Sequence, residues 1–335
     1  MARDSELYDV TIVGGGPTGL FAAFYSGMRQ MKTKVIESGR HLGGKVAQFY
    51  PEKYIYDVGG IPRISGEDLV RQMKEQAGLH DPEMVYNQYV TAIDKQEDGT
   101  FILSTESGEA HYSKTVILAT GFGIYDPVRL TAGNASKYEG VQLHYSLNNR
   151  EQLSGKNVLI VSKNRVGIDW ALALEGQAEK VILVNESDEF QHVGQGDEER
   201  LAQSTVEVRL HHEVLELMEQ DGCLRKAKLV NKESEEETLE TIDQVLVYQG
   251  IEFKAAPFKQ WNLAVEKSKI TVDAGMAANV AGIFAAGDAV HYPRKSMLIA
   301  SGYTEACTAV NSAKFHIDPK ASAQVYSTVE YKYRE

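Results

Sequence analysis

Residues 8–37 constrain this chain more than any other stretch. Tyr8 to Val13 reads as a buried strand, Gly14-Gly15-Gly16-Pro17-Thr18-Gly19 as a turn, Leu20 to Tyr25 as a helix, and Lys34 to Glu37 as a second strand. Gly14, Gly16 and Gly19 fit G-x-G-x-x-G. The first glycine permits a sharp turn, the second lets the backbone approach a pyrophosphate, and the third lets helix and strand pack closely. The phosphates would then meet the positive end of the helix. Glu37 follows Gly19 by 18 residues, at a strand end where a carboxylate accepts hydrogen bonds from ribose hydroxyls. A lone glycine motif is weak, but strand, turn, helix, strand and acid in register point to an adenine dinucleotide.

The rest of the chain supports a cofactor-binding α/β protein. Gly39 to Lys45 and Tyr50 to Asp57 form a loop rich in glycine and aromatics. It suits either a packed surface crossing or, if a flavin is present, a tyrosine such as Tyr50 stacked on the ring. Glu67 to Ala77 has the spacing of an amphipathic helix, and Ala92 to Ser104 with Lys114 to Ala119 read as strands around a turn at Asp98-Gly99. Near the end, Gly282 to Ala289 is an apolar strand closing on Gly287-Asp288, an aspartate placed to grip a hydroxyl chain. Ala300 to Ala306 opens a last long helix whose N-terminal amides are expected to face an electron-rich ring oxygen.

A second strand, helix and strand occupy Asn157–Val161, Ile168–Glu175 and Lys180–Val184. Here the turn is Ser162-Lys163-Asn164-Arg165-Val166-Gly167, and Gly167 alone survives of the three small residues a pyrophosphate needs. The following segment, Asn185-Glu186-Ser187-Asp188-Glu189, carries acids where a binder of NADP places arginine. The topology persists while the phosphate chemistry is damaged.

Composition narrows the class. The 335 residues suit about two domains, and 43% hydrophobic with 24% charged residues is a soluble globular balance. No apolar run approaches a membrane span, and charges at the start replace a signal peptide's apolar core, so a cytoplasmic protein with no membrane partner is expected. A net charge of -12 argues against nucleic acid. Cys223 and Cys307 form no redox pair, and the nine histidines show no metal-ligand spacing, so neither a metal nor a side-chain catalyst is assigned.

Over nearly its whole length the chain resembles the thioredoxin-reductase-like ferredoxin-NADP reductases of bacteria. The residues that carry this are Gly14-Gly15-Gly16-Pro17, the string Tyr50-Pro51-Glu52-Lys53-Tyr54-Ile55-Tyr56-Asp57, Asp169-Trp170-Ala171, Phe284-Ala285-Ala286-Gly287-Asp288 and the tail with Ser327-Thr328. The resemblance implies two Rossmann-like, three-layer nucleotide-binding domains in a thioredoxin-reductase-like flavoprotein. An FAD domain would comprise residues 1–119 and 251–335, with an NAD(P)-binding-like domain, 120–250, inserted. It places Glu37 on the adenosine ribose, Tyr50 on the flavin and Asp288 on the ribityl-phosphate side. Thr18, Val90 and Tyr125 fall where family members touch FAD, Thr328 lies near the ring, and Tyr326 matches the aromatic that covers its other face. Gly44 and Gly287 join this set, as does Lys45, which stands where relatives usually carry glutamine; a cation there favours a reduced, anionic flavin.

The family's reaction is hydride transfer from nicotinamide to FAD, then single-electron steps to a ferredoxin or flavodoxin-like acceptor, in a homodimer. Two readings follow for this chain. In one it remains an FAD-dependent reductase fed by NADPH, or by NADH if Glu186 holds an unphosphorylated ribose. In the other it keeps FAD, has lost the nicotinamide route, and works with another donor or as a redox-responsive binding protein.

Overall fold

The structure is a computed structural model that describes residues 6–49, 51–147 and 150–327, apart from the side chain of Tyr125. It divides into two compact units, Met1–Ile124 with Lys254–Glu335, and Tyr125–Phe253.

In the first unit, β1 (Leu7–Val13) leads into α1 (Pro17–Met28) and β2 (Thr33–Ile36). A short α2 (Gly44–Phe49) and a longer α3 (Gly66–Gly78) follow. Ser65 caps α3, its hydroxyl accepting the Asp68 N–H at 3.1 Å, which explains why the helix starts one residue before the expected Glu67. Then come β3 (Glu83–Val85), β4 (Val90–Lys95), β5 (Phe101–Thr105) and β6 (Ala110–Leu118). The chain leaves on β7 (Gly123–Pro127).

The central unit is built from β8 (Leu143–His144), β9 (Asn157–Ser162), α4 (Arg165–Leu174), β10 (Lys180–Val184), α5 (Gln195–Ala202) and β11 (Glu207–Arg209). A three-stranded meander, β12 (His212–Gln220), β13 (Cys223–Asn231) and β14 (Glu237–Thr241), precedes β15 (Gln244–Tyr248). The acidic run at 233–240 lies partly in the connection from β13 to β14 and partly in β14 itself. The chain returns on β16 (Ile251–Ala255), which pairs with β7. Because the crossings are paired strands, the unit boundaries lie a few residues beyond 119 and 250. β17 (Lys269–Thr271), β18 (Ile283–Ala285), β19 (Val290–His291) and α6 (Ile299–Ile317) complete the first unit.

The main sheet of the first unit runs β3-β2-β1-β6-β5-β4, with β18 also on β6. β6 serves two neighbours in turn: Ala110–Ser113 pairs antiparallel with β5, and Val116–Leu118 pairs parallel with β18. β1 runs parallel to both β2 and β6. The strand ends at Val13, Ile36, Leu118 and Ala285 therefore open on one edge, where ligands bind in open parallel sheets. Val10, Ile12, Leu20, Val116 and Ile117 are sealed in the core beneath it.

The central sheet, β8-β15-β9-β10-β11, is parallel throughout. Its residues alternate between two cores. Leu159, Val161, Ile182, Val184 and Val245 pack with the meander's Leu217, Ala227 and Leu229. Val158, Ile160, Val181, Leu183 and Leu246 pack with Ile168, Trp170 and Leu174 of α4. Burial on both faces is why these strands read as continuous apolar runs.

Candidate cofactor site

At the end of β1, Gly14 turns with φ +106°, a conformation that an L side chain rarely adopts. A methyl group there would also lie 2.5 Å from the carbonyl oxygen of Ala119. At Gly19 a methyl would lie 1.8 Å from the Gly14 carbonyl oxygen, so β1 and α1 can meet this closely only with glycine at both places. Gly16 faces the backbone of Gly44, where a methyl on Gly44 would come within 3.0 Å of the Gly16 Cα. α1 begins with Pro17, and no side chain caps it. Its positive end is thus presented at a turn walled by backbone.

Glu37 follows β2, and its carboxylate ties the turn together. One oxygen accepts the Gly15 N–H at 2.7 Å; the other accepts the Gly39 N–H at 2.7 Å and the Ser38 hydroxyl at 3.2 Å. The Gln88 N–H donates to the Glu37 carbonyl at 3.0 Å, bringing the buried start of β4, with Val90, alongside this strand end.

On the other flank, β18 leads into Gly287, whose φ is +76°. The Thr18 hydroxyl fits between Gly287 and Gly302, where methyl groups would approach it to 2.6 and 2.4 Å. Asp288 pairs with Lys45 at 2.9 Å. Lys45 also lies 4.2 Å from the Phe122 ring centre, with Lys269 4.7 Å from the same ring. Burial pulls the Lys269 ammonium below its ordinary pKa, against the attraction of Asp288.

Beneath Asp288 lies a network that sequence reasoning missed. Glu305 of α6, 3% exposed, accepts the Gly287 N–H at 2.7 Å, the Tyr292 hydroxyl at 2.5 Å and the Lys295 ammonium at 2.5 Å. Burial, then Glu305 itself, pushes the Tyr292 hydroxyl up to about 12. The available signal was a lone acid among small residues in Ala300–Ala309.

The structure thus brings Gly14, Gly16, Thr18, Gly19, Glu37, Gly44, Lys45, Val90, Gly287 and Asp288 to one edge of one unit. Tyr50 and Thr328 lie outside the described residues. Tyr125 is the first residue of the central unit, and its side chain is likewise outside them. Tyr326 is described and 60% exposed; its hydroxyl accepts from Gln324. The tail leading to it is held by Arg29, which donates to the Ser322 carbonyl at 2.6 Å, at the end of α1 opposite Gly14–Gly19.

The matching edge of the central unit is built differently. Asn164 caps α4, its side-chain oxygen accepting the Val166 N–H at 3.0 Å and its carbonyl the Gly167 N–H at 3.1 Å. The Arg165 N–H donates to the Gln191 carbonyl at 3.2 Å, and the Gln191 N–H returns to the Lys163 carbonyl at 2.8 Å. Asn185, 1% exposed, accepts the Ser187 N–H and donates to the Glu189 carbonyl. Glu186 pairs with both Lys163 and Lys232 at 3.7 Å. Ser162, Lys163, Asn185 and Glu186 help to line a cavity of about 50 Å³.

Among the described residues, no cluster of three His, Cys, Asp or Glu side chains could hold a metal, and no helix is long and apolar enough to cross a membrane. A family model described as pyridine nucleotide-disulphide oxidoreductase matches residues 8–313. Curated relatives include the ferredoxin–NADP reductase of Geobacillus kaustophilus (strain HTA426), 45% identical over 323 residues that cover 96% of each chain. Ferredoxin–NADP reductase 2 of Bacillus subtilis (strain 168) is 43% identical over 324 residues, 97% of each chain. Among solved structures, thioredoxin reductase of Lactococcus lactis shares the fold with a TM-score of 0.59 and 23% identity, over 93% of this chain and 99% of that one. Thioredoxin reductase of Streptococcus pyogenes gives 0.58 and 22%, over 94% and 100%. This chain belongs to the pyridine nucleotide-disulphide oxidoreductase family and, within it, to the ferredoxin–NADP reductases, FAD-dependent oxidoreductases of thioredoxin-reductase-like fold.

Proposed function

We propose that this chain carries electrons through FAD held in its first unit and exchanges them with a small iron–sulfur protein of the ferredoxin kind, or a flavodoxin-like acceptor. The observation that carries this reading is the start of α1, free of a side-chain cap, at a turn where glycine at 14 and 19 lets β1 and α1 meet closely, flanked by the carboxylates of Glu37 and Asp288. FAD supplies the coupling of two-electron to one-electron chemistry when bound.

The protein's part is to bind and orient. Gly14, Gly16 and Gly19 would admit the phosphates to the first N–H groups of α1, where the helix dipole favours their charge. Glu37 would exchange some of its bonds to Gly15 and Gly39 for ribose hydroxyls, with Val90 beside the adenine. Asp288 would take a hydroxyl of the ribityl chain, with Thr18, Gly44 and Gly287 giving the backbone its close approach. Lys45 would set positive charge near the ring. Tyr50, Tyr125, Tyr326 and Thr328 complete the proposed set. No side chain is required as acid, base or nucleophile, so none is proposed as catalytic.

Anaerobic photoreduction of the purified protein, followed by mixing with oxidised ferredoxin, tests the reading. Bound FAD near one per chain, and its rapid reoxidation by ferredoxin, are expected. A colourless protein that takes up no added FAD contradicts it. A homodimer working in the cytoplasm belongs to the same proposal, supported by the family resemblance; light scattering of the purified protein tests the dimer.

A further inference from the structure

We infer that the crevice of the central unit is shut by its own chain against NADPH and NADH. A dinucleotide crevice must offer unclaimed N–H donors at the helix start, space at the turn, and a strand-end side chain free to meet the ribose. The central unit withholds all three.

The donors are taken. The N–H groups of Arg165, Val166 and Gly167 go to Gln191, to the Asn164 side chain and to the Asn164 backbone. An incoming pyrophosphate would have to displace both a side-chain cap and the backbone bridge from Gln191, and each lost bond left unpaired opposes binding. The turn is narrow as well: the cavity that Ser162, Lys163, Asn185 and Glu186 help to line measures about 50 Å³.

The carboxylate beyond the strand end is paired too. Glu186 is held between Lys163 and Lys232, and Lys232 also reaches Glu213 at 3.7 Å. The cations that a phosphate would seek are therefore engaged by carboxylates. Asp188 and Glu189 add negative charge close by in sequence, which bears hardest on a 2′-phosphate. All of these residues lie within one unit, so the closure does not depend on the arrangement of the two units.

Calorimetric titration of the FAD-loaded protein with NADP⁺, NAD⁺ and adenosine 2′,5′-bisphosphate tests the inference without relying on turnover. No saturable heat from any of the three at concentrations up to about 1 mM is expected, a level at which even weak binding of about 4 kcal/mol would register. Saturable binding of any one of them with a Kd below about 1 mM overturns the inference. On a preparation that proved colourless, an absence of heat would still read the central crevice as shut, while the missing colour would count against the FAD reading instead.

Discussion

The two strand–turn–helix crevices of this chain share a topology and differ in who occupies the helix start. At α1 the turn is backbone, the N-cap residue is glycine, and the nearest carboxylate, Glu37, holds the turn open from the side. At α4 the N-cap is Asn164, and the chain beyond β10 folds back so that Gln191 claims the next N–H. A helix start can be satisfied by a ligand or by the protein, and each choice excludes the other. Side-chain capping stabilises the apoprotein fold; leaving the cap off reserves the site for an anion.

The largest difference should appear on adding a single methyl to each turn. Gly19→Ala drives a methyl into the Gly14 backbone at 1.8 Å, with no side chain to move aside. It is expected to abolish FAD retention and to cost about 5 kcal/mol, judged by flavin absorbance and urea unfolding. Gly167→Ala meets side chains, Ser162 at 2.3 Å and Leu183 at 3.3 Å, so the double change with Ser162→Gly should recover most of the lost stability. An unrescued Gly167→Ala with a mild Gly19→Ala would invert the comparison.

Next come the charges that hold each crevice. Lys295→Met strands the Glu305 carboxylate, whose side chain is 4% exposed, and is expected to destabilise by roughly 3 to 5 kcal/mol in urea unfolding and to loosen FAD. Lys163→Met, breaking a pair more than one-third exposed on both sides, should cost about 1 kcal/mol or less. Equal losses from the two changes would show that the cradle is not held by its buried pair.

Much of this was legible in the sequence, and the reason is local. Leu7–Val13, Pro17–Met28 and Lys180–Val184 announce themselves through apolar runs and glycine punctuation, and Gly14, Gly16, Thr18 and Gly19 sit within or beside the first two. Damage to the second turn was also visible, because Ser162 and Asn164 replace small residues. What could not be read is how that damage is repaired. The Gln191 bridge joins residues more than 25 positions apart and uses only backbone atoms, so no residue type signals it. Glu305 and Lys295 likewise meet by the packing of α6 against the turn at Gly287. In the meander at residues 212–241 the acidic run 233–240 marks a hairpin between strands, but the extent of the three strands is poorly marked, because their polar outer face weakens the alternation.

A smaller effect concerns the ribose end. Glu37→Ala removes an acceptor shared by Gly15 and Gly39 and should weaken FAD binding about a hundredfold, or roughly 3 kcal/mol, read by fluorescence on rebinding. Glu186→Ala in the other crevice should leave FAD binding unchanged. A matching loss from both would mean that the crevices do not act separately.

The smallest expected effect is a pH dependence at the opposite end of the first sheet. His111 is buried, which lowers its pKa, and the Lys34 ammonium 3.3 Å from its Nδ1 lowers it further against the pull of Glu109. Its Nε2 pairs with Gln88 at 2.6 Å. The unfolded chain then binds the proton more readily than the folded one. Stability should fall as pH drops below about 6.5 and level off below the folded pKa. His111→Gln should flatten that slope in urea titrations between pH 5 and about 7.5; an unchanged slope would assign the dependence to other groups.

The central claim is that one crevice is open to its cofactor and the other is closed by its own chain. Anaerobic mixing of the FAD-loaded protein with NADPH, and separately with NADH, tests it most directly, with the flavin absorbance followed against a dithionite-reduced control. The account predicts full bleaching by dithionite and none by either nucleotide on the timescale of turnover. Rapid bleaching by NADPH or NADH would contradict it, because hydride would then be arriving from a crevice that Asn164, Gln191 and Glu186 are said to close.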